Sequence, residues 1–381
     1  MNPSADSTTA PEPESEQLVL STAFPSAYRL PALSGIFRQS PQDFCVDEVL
    51  GFPLTGQGEH QCLHVEKTSH NTHWVLSALA EYAGVSEKDI GYCGRKDRHA
   101  ITRQWFSLYC PPVSKLSPEL ARKPVDWTQF SMEGVQILSV DKHAKKLRLG
   151  DHARNQFAIT LKDVRIGSCH TLSPSHSHSP PHSSIAKVSN SLAEHEALPS
   201  LSSEDQQNIS AEIISTLKQG VPNYFGAQRF GREGNNLVMA NDWLVRGISP
   251  PRKQRSMILS AARSYVFNQV LAHRVRNGIW KTTLVGDVVN DTYPTGPLWG
   301  RGRLATKDDA LEMEKTAIGD LAQWCERLEH LGLNQERREL VLTPDELEVQ
   351  WKGNDLYLSF SLPSGTFATA ILAEVAQLVT V

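Results

Sequence analysis

The order of two hydrophobic periodicities along the chain limits its architecture most. A two-residue alternation, the mark of a half-buried strand, dominates both ends, whereas helical spacing dominates the middle. Phe44 and Val46 share a face in the stretch Phe44 to Val49, after the turn signal Ser40-Pro41-Gln42-Asp43. Leu63 and Val65 mark a second strand over 58–67. Asn71 or Thr72 then caps a helix with Val75, Leu76, Leu79, Ala80 and Ala83 at helical spacing, and Gly84 ends it. Ile90 to Tyr109 reads as a strand, a charged Gly-containing loop and a second strand from about Gln104. Lys145 to Leu149 and Asn155 to Leu161 resemble two more, with Asn155, Phe157, Ile159 and Leu161 on one face. At the far end Leu347, Val349 and Trp351, then Leu356, Leu358, Phe360 and Leu362, alternate around a turn at 352–355. This hairpin leads through Pro363-Ser364-Gly365 into an apolar helix from Thr366. Between these flanks lie helical patterns over 203–219 and 257–276 and an acidic helical stretch over 306–333. The pattern predicts an α+β fold, one domain interrupted by an inserted domain, and 381 residues suit two to three domains of roughly 150 each.

Two segments fall outside this scheme. The first 20 residues are polar and read as a disordered tail, and 167–202, with its Ser/Pro/His run, reads as a flexible low-complexity insert. His170, His176, His178 and His182 lie there without ligand geometry, and the six cysteines form no CxxC pair, so no metal site is expected. No apolar run approaches the roughly 20 residues of a membrane-spanning helix. The N-terminus has neither the basic start nor the apolar stretch of a signal peptide, so the expected compartment is the cytoplasm.

The net charge of −4 argues against a nucleic-acid partner until it is resolved along the chain. Residues 1–17 carry four acids and no Lys or Arg, and 308–348 carry twelve acids against four bases, which leaves +8 on the remainder. Lys142, Lys145, Lys146, Arg148, Arg154, Arg252, Lys253, Arg255, Arg263, Arg274, Arg276, Lys281, Arg301 and Arg303, with Phe157, Tyr265 and Trp299 nearby, could track phosphates and stack bases. Taken singly, each run also fits a solvated face.

Asp97 lies in Gly94-Arg95-Lys96-Asp97-Arg98. A carboxylate among cations is favoured as the anion, which suits a nucleophile, although composition alone favours a charged surface loop. A second segment, Val221 to Gly234, combines glycines with Arg229 and Arg232. It follows a helix and has no GxGxxG, which excludes a dinucleotide-binding turn and leaves a packed connection or a phosphate contact.

These segments carry a family resemblance. Gly94-Arg-Lys-Asp-Arg-His-Ala-Ile-Thr-Arg-Gln-Trp105, Lys146-Leu-Arg-Leu-Gly150 with Arg154-Asn-Gln-Phe157, Val221-Pro-Asn-Tyr-Phe-Gly-Ala-Gln-Arg-Phe-Gly231, Ser260-Ala-Ala-Arg-Ser264 with Phe267-Asn-Gln269, and Leu362-Pro-Ser-Gly-Thr-Phe-Ala-Thr369 closely resemble the TruD family of tRNA pseudouridine synthases. The resemblance spans about residues 30–380. It implies a pseudouridine-synthase catalytic domain with a central mixed β-sheet over 21–166 and 342–381, a connecting helix over 203–219, and an inserted TRUD domain over 220–341. The implied reaction is isomerisation of uridine-13 in the tRNA D arm, on a flipped-out base, without cofactor or metal. Asp97 is the implied nucleophile, Phe44, Asn155, Phe157 and Phe367 the implied substrate contacts, and Arg38 and Lys96 supporting residues. Arg38 stands where the resemblance associates a Lys. The implied partner is tRNA, bound by a monomer with no obligate protein partner and no membrane. A noncatalytic RNA-binding or RNA-folding protein is the alternative, distinguished by whether pseudouridine forms.

Overall fold

A computed structural model describes residues 20–28, 33–110, 125–167 and 201–380. The expected disordered tail and almost all of the low-complexity insert, with its four histidines, lie outside the described residues. The ordered elements are β1 (Leu33–Phe37), β2 (Phe44–Leu50), β3 (His60–Thr68), α1 (Thr72–Ala83), β4 (Ile90–Tyr92), β5 (Ile101–Tyr109), β6 (Val135–His143), β7 (His152–Ile166), α2 (Ser203–Lys218) and β8 (Val221–Pro222). They continue with α3 (Asn235–Leu244), α4 (Arg255–Arg276), β9 (Val289–Asn290), β10 (Tyr293–Leu298), α5 (Asp308–Ile318), α6 (Ala322–Glu329), β11 (Glu336–Glu339), β12 (Val341–Leu342), β13 (Asp345–Lys352), β14 (Asp355–Pro363), α7 (Ala368–Ala373) and β15 (Gln377–Val379). None of the described helices is long and apolar enough to cross a membrane.

The chain divides into two compact units, one of Ser26–Tyr224 with Leu340–Val381, the other of Phe225–Glu339 with the segment ending at Pro25. The first unit holds a ten-stranded mixed sheet whose main path runs β13-β14-β7-β2-β5-β3-β6; β1 joins β7 and β15, and β4 joins β5. The pairing of β2 with β5 and of β1 with β15 is parallel, and the rest is antiparallel. Strand phase fixes which residues face the core. Register sets Val46 and Phe360 opposite Phe157, and Glu48 and Leu362 opposite Asn155. One sheet face therefore carries Phe44, Val46, Phe157, Ile159, Leu358 and Phe360 into a core closed by Ile209, Ile213 and Leu217 of α2 and by Ile371 and Leu372 of α7. A second cluster on β3 and β5 is closed by α1 through Val75, Leu76 and Leu79. Burying each of these three side chains contributes about 1.5–3 kcal/mol. Asn71 caps α1 by accepting the Trp74 N–H at 2.8 Å, and Gly84 ends it in the left-handed region.

Two expectations in this unit need correction. The second strand of the Asp97 segment begins at Ile101, not near Gln104, because it is paired along its whole length with β3. Residues 145–149 are not a strand: Leu147 is buried as a plug, its N–H donating to Ser107 Oγ at 2.9 Å, and Asp151 closes a turn by accepting from the Arg148 N–H.

The other unit packs α3, α4 and α6 with a three-stranded sheet ordered β11-β10-β9. The acidic helical stretch expected over 306–333 is made of two helices, α5 and α6, separated at Gly319, which has φ 44°. The proposed phosphate-tracking set also loses members. Arg274 is fully buried and ion-paired with Asp287, and Tyr265 and Trp299 are core residues at 2% and 6% exposure, so none of the three faces a base.

Candidate active site

The site is built where the loop from β4 to β5 crosses the sheet face at β2 and β7. This loop is pinned near its start. Gln104 Nε2 donates to the Gly94 carbonyl at 3.2 Å, the Lys96 N–H donates to Thr72 Oγ1 at 3.0 Å, and Thr72 in turn donates to Gln104 Oε1 at 3.0 Å. Gly94 packs tightly, since a Cβ there would sit 3.0 Å from His152 Cε1 and 3.2 Å from Lys96 Nζ and would press on both side chains.

Arg38, just after β1, meets Asp97 from one side. Its Nη2 donates to Asp97 Oδ2 at 2.9 Å, and its guanidinium carbon lies 3.9 Å from the Phe44 ring centroid. Arg38 adopts φ 60°, a left-handed conformation that costs a non-glycine residue of order 1–3 kcal/mol. The Phe44 ring continues a row of aromatics, 6.1 Å from Phe157, which lies 5.5 Å from Phe360. Both Phe44 and Phe157 are buried.

Lys96 turns the other way, into the sheet. Its ammonium lies 2.6 Å from Glu48 Oε2, an ion pair outside hydrogen-bonding geometry, and donates to Asn155 Oδ1 at 2.8 Å. Since an ammonium only donates, this contact fixes the Asn155 amide with its oxygen toward Lys96 and its NH2 away from it. The NH2 lies 3.4 Å from His152 Nε2, which is also 3.0 Å from Ser364 Oγ. Burial, reinforced by the Lys96 charge, pushes the His152 pKa down and favours its neutral form.

The structure thus joins Arg38, Phe44 and Asp97 in one contact set, and Lys96 and Asn155 in a second, linked through adjacent residues 96 and 97 and through the Phe44–Phe157 pair. Phe367 is half-buried at the start of α7, on the loop that the Ser364 N–H ties to the Ala153 carbonyl at 2.9 Å.

Sequence reasoning missed Glu48 and Lys67. Glu48 has no side-chain exposure, and its Oε1 accepts the Trp105 N–H at 2.9 Å. Lys67 is also fully buried; its ammonium donates to the carbonyls of His70 at 2.6 Å and Asp97 at 2.7 Å. Burial pushes its pKa down to about 8, with the Asp97 charge opposing that shift and the Lys96 charge adding to it. Both residues were visible as charges in phase with buried apolar ones: Phe44, Val46, Glu48 and Leu63, Val65, Lys67.

Comparison with known proteins adds the decisive observation. The family described as tRNA pseudouridine synthase D (TruD) matches residues 26–178, 235–319 and 290–375. The chain belongs to the TruD family. It is 43% identical over 365 residues to the tRNA pseudouridine synthase D of Cellvibrio japonicus, covering 95% of each chain. The corresponding protein of Methylococcus capsulatus is 36% identical, with 93% and 94% covered. Among solved structures, a putative tRNA pseudouridine synthase D (TruD) from Methanosarcina mazei superposes with a TM-score of 0.61 at 19% identity, over 93% of this chain and 96% of that one. This last likeness concerns the fold, and it agrees with an α+β family architecture built on a central mixed sheet.

Proposed function

We propose that the protein is a tRNA pseudouridine synthase that isomerises uridine-13 of the D arm, with Asp97 as the nucleophile. The observation that carries this reading is the Arg38–Asp97 ion pair set against the Phe44 ring, within a chain of the TruD family. The uridine leaves its stack and enters beside Phe44, Phe157 and Phe367, where ring contact offsets part of an unstacking cost of a few kcal/mol. Arg38 releases the carboxylate, which attacks the ribose or the pyrimidine ring. The glycosidic C–N bond breaks, the base turns, and a C–C bond to the same ribose replaces it; the bond made by the Asp97 carboxylate is broken again before release, which returns the free carboxylate. The proton lost from ring carbon is balanced by one gained at the freed ring nitrogen, so substrate and product are isomers. This isomerisation consumes nothing, so the reading assigns no role to a cofactor or metal.

In the same reading, 21–166 and 342–381 form the catalytic domain, 203–219 the connecting helix and 220–341 the inserted TRUD domain. The enzyme works as a cytoplasmic monomer whose partner is tRNA. Incubating the protein with unmodified tRNA and mapping pseudouridine tests the reading. Modification at position 13 is expected, and Asp97→Asn is expected to abolish it while tRNA affinity stays within about twofold of wild type. An active Asp97→Asn variant sinks the nucleophile assignment. A wild-type protein that binds tRNA without producing pseudouridine favours a noncatalytic RNA-binding role.

A further inference from the structure

We propose that Lys67 is a positioning residue of the isomerisation, holding the main chain of Asp97 in place and keeping a positive charge beneath it when Arg38 lets go. The inference rests on the function proposed above and concerns a residue that neither the sequence motifs nor the substrate contacts include.

The geometry is that of a strut. Lys67 lies near the end of β3, opposite Thr102 of β5 and Val135 of β6, on the sheet face that carries Val65 into the core. Its side chain is fully buried, and its ammonium bonds the carbonyls of His70 and Asp97 at 2.6 and 2.7 Å. A buried ammonium held by carbonyls alone is costly, and an apolar side chain would fill a core position at less expense. The charges acting on it come from the β4–β5 loop, namely Asp97 and Lys96. His70 contributes only its carbonyl bond, and Thr102 and Val135 across the ladder do not ionise.

Asp97 is therefore held twice, by different parts. Arg38 grips the carboxylate from a partly exposed position, with side-chain exposures of 22% and 34% for the two residues. Lys67 grips the backbone from the interior. A nucleophile has to exchange its ion pair for the substrate, so the Arg38 contact must open during each turnover. The Lys67 contact does not involve the reacting oxygens and stays closed throughout. Losing it frees the residue that must be aligned to within an ångström, while the residues that bind RNA are untouched.

The test compares wild type with Lys67→Met, in single-turnover and steady-state assays on tRNA, after folding is checked by near-UV circular dichroism. The expected result is a kcat about 100-fold lower, the size of loss that follows a misplacement of about 1 Å, with KM and tRNA affinity within twofold. Should Lys67→Met not fold, Lys67→Gln, which keeps a donor but no charge, takes its place. The wild-type pH profile gives a readout that needs no variant. Lys67 has a folded pKa of about 8 against 10.5 unfolded, so between these values the unfolded chain binds more protons and this group makes the fold more stable as pH rises. The rate should move the opposite way, declining above about pH 8. A variant that keeps wild-type kcat, or a rate that follows stability upward through that window, overturns the proposal. Wild type without activity would instead sink the functional reading on which it stands.

Discussion

Glu48 and Lys96 illustrate how a buried charge pair at the residue scale serves geometry more than stability. The pair is enclosed, at 0% and 6% side-chain exposure, and desolvation offsets much of its attraction. What it secures is the Asn155 amide, whose orientation Lys96 dictates. Glu48→Gln removes the counter-ion and leaves an ammonium buried beside neutral groups. Urea denaturation should show a loss of roughly 3–5 kcal/mol, and the double variant Glu48→Gln with Lys96→Met should recover a large part of it, as expected when an unpaired buried charge dominates the cost. Additive losses in the double variant would count against the pair. Asp97, Asn155 and their aromatic neighbours were legible in the sequence because motif and strand phase marked them. Glu48 and Lys67 were legible only as violations of that phase, and a charged residue on an apolar face has no single meaning until its partners are known. Arg38 could be placed beside Asp97 by family resemblance, but its stacking on Phe44 depends on a backbone turn that no pattern announces.

The β4 strand and the loop after it show the same limit at the element scale. Gly91 packs so closely under the 145–149 segment that a Cβ would lie 2.1 Å from the Leu147 carbonyl oxygen and 2.8 Å from Ser107 Oγ. Gly84, by contrast, has φ 63° and open space around its Cβ direction. Gly91→Ala should therefore destabilise by about 1–3 kcal/mol or more through steric displacement, and Gly84→Ala by about 1 kcal/mol through backbone strain alone. Thermal melts of the two variants check the order, and activity should fall with the first and not the second. The alternating strands β2, β7, β13 and β14 and the capped helices α1 and α2 were readable because each carries its periodicity locally. β10, with the sequence Tyr-Pro-Thr-Gly-Pro-Leu, was not, since two prolines and a glycine mimic a loop and its burial is almost continuous instead of alternating. Residues 145–149 erred the other way: a short apolar alternation there serves a plug, held by side-chain bonds from Ser107 and Asp151.

On the scale of the whole molecule, the net charge of −4 conceals a basic remainder, and a tRNA partner would be held largely through phosphates. Affinity measured by filter binding should fall by about 100-fold or more between 50 and 200 mM salt, while the rate at saturating tRNA changes little. An affinity indifferent to salt would rule out phosphate-dominated binding. The parallel β1–β15 pairing and the β7–β14 ladder bear on the order in which the chain can fold as it is made. Arg154 Nε bonds Ser361 Oγ across 207 positions of sequence, and Ser34 of β1 lies opposite Gln377 of β15. The large sheet therefore waits for β14 and β15 to be made, whereas Phe225–Glu339 is complete earlier. Between the synthesis of β7 and that of β14, the side of β7 that β14 covers has no strand partner, so the sheet that carries the Asp97 loop is completed long after the loop itself has been made.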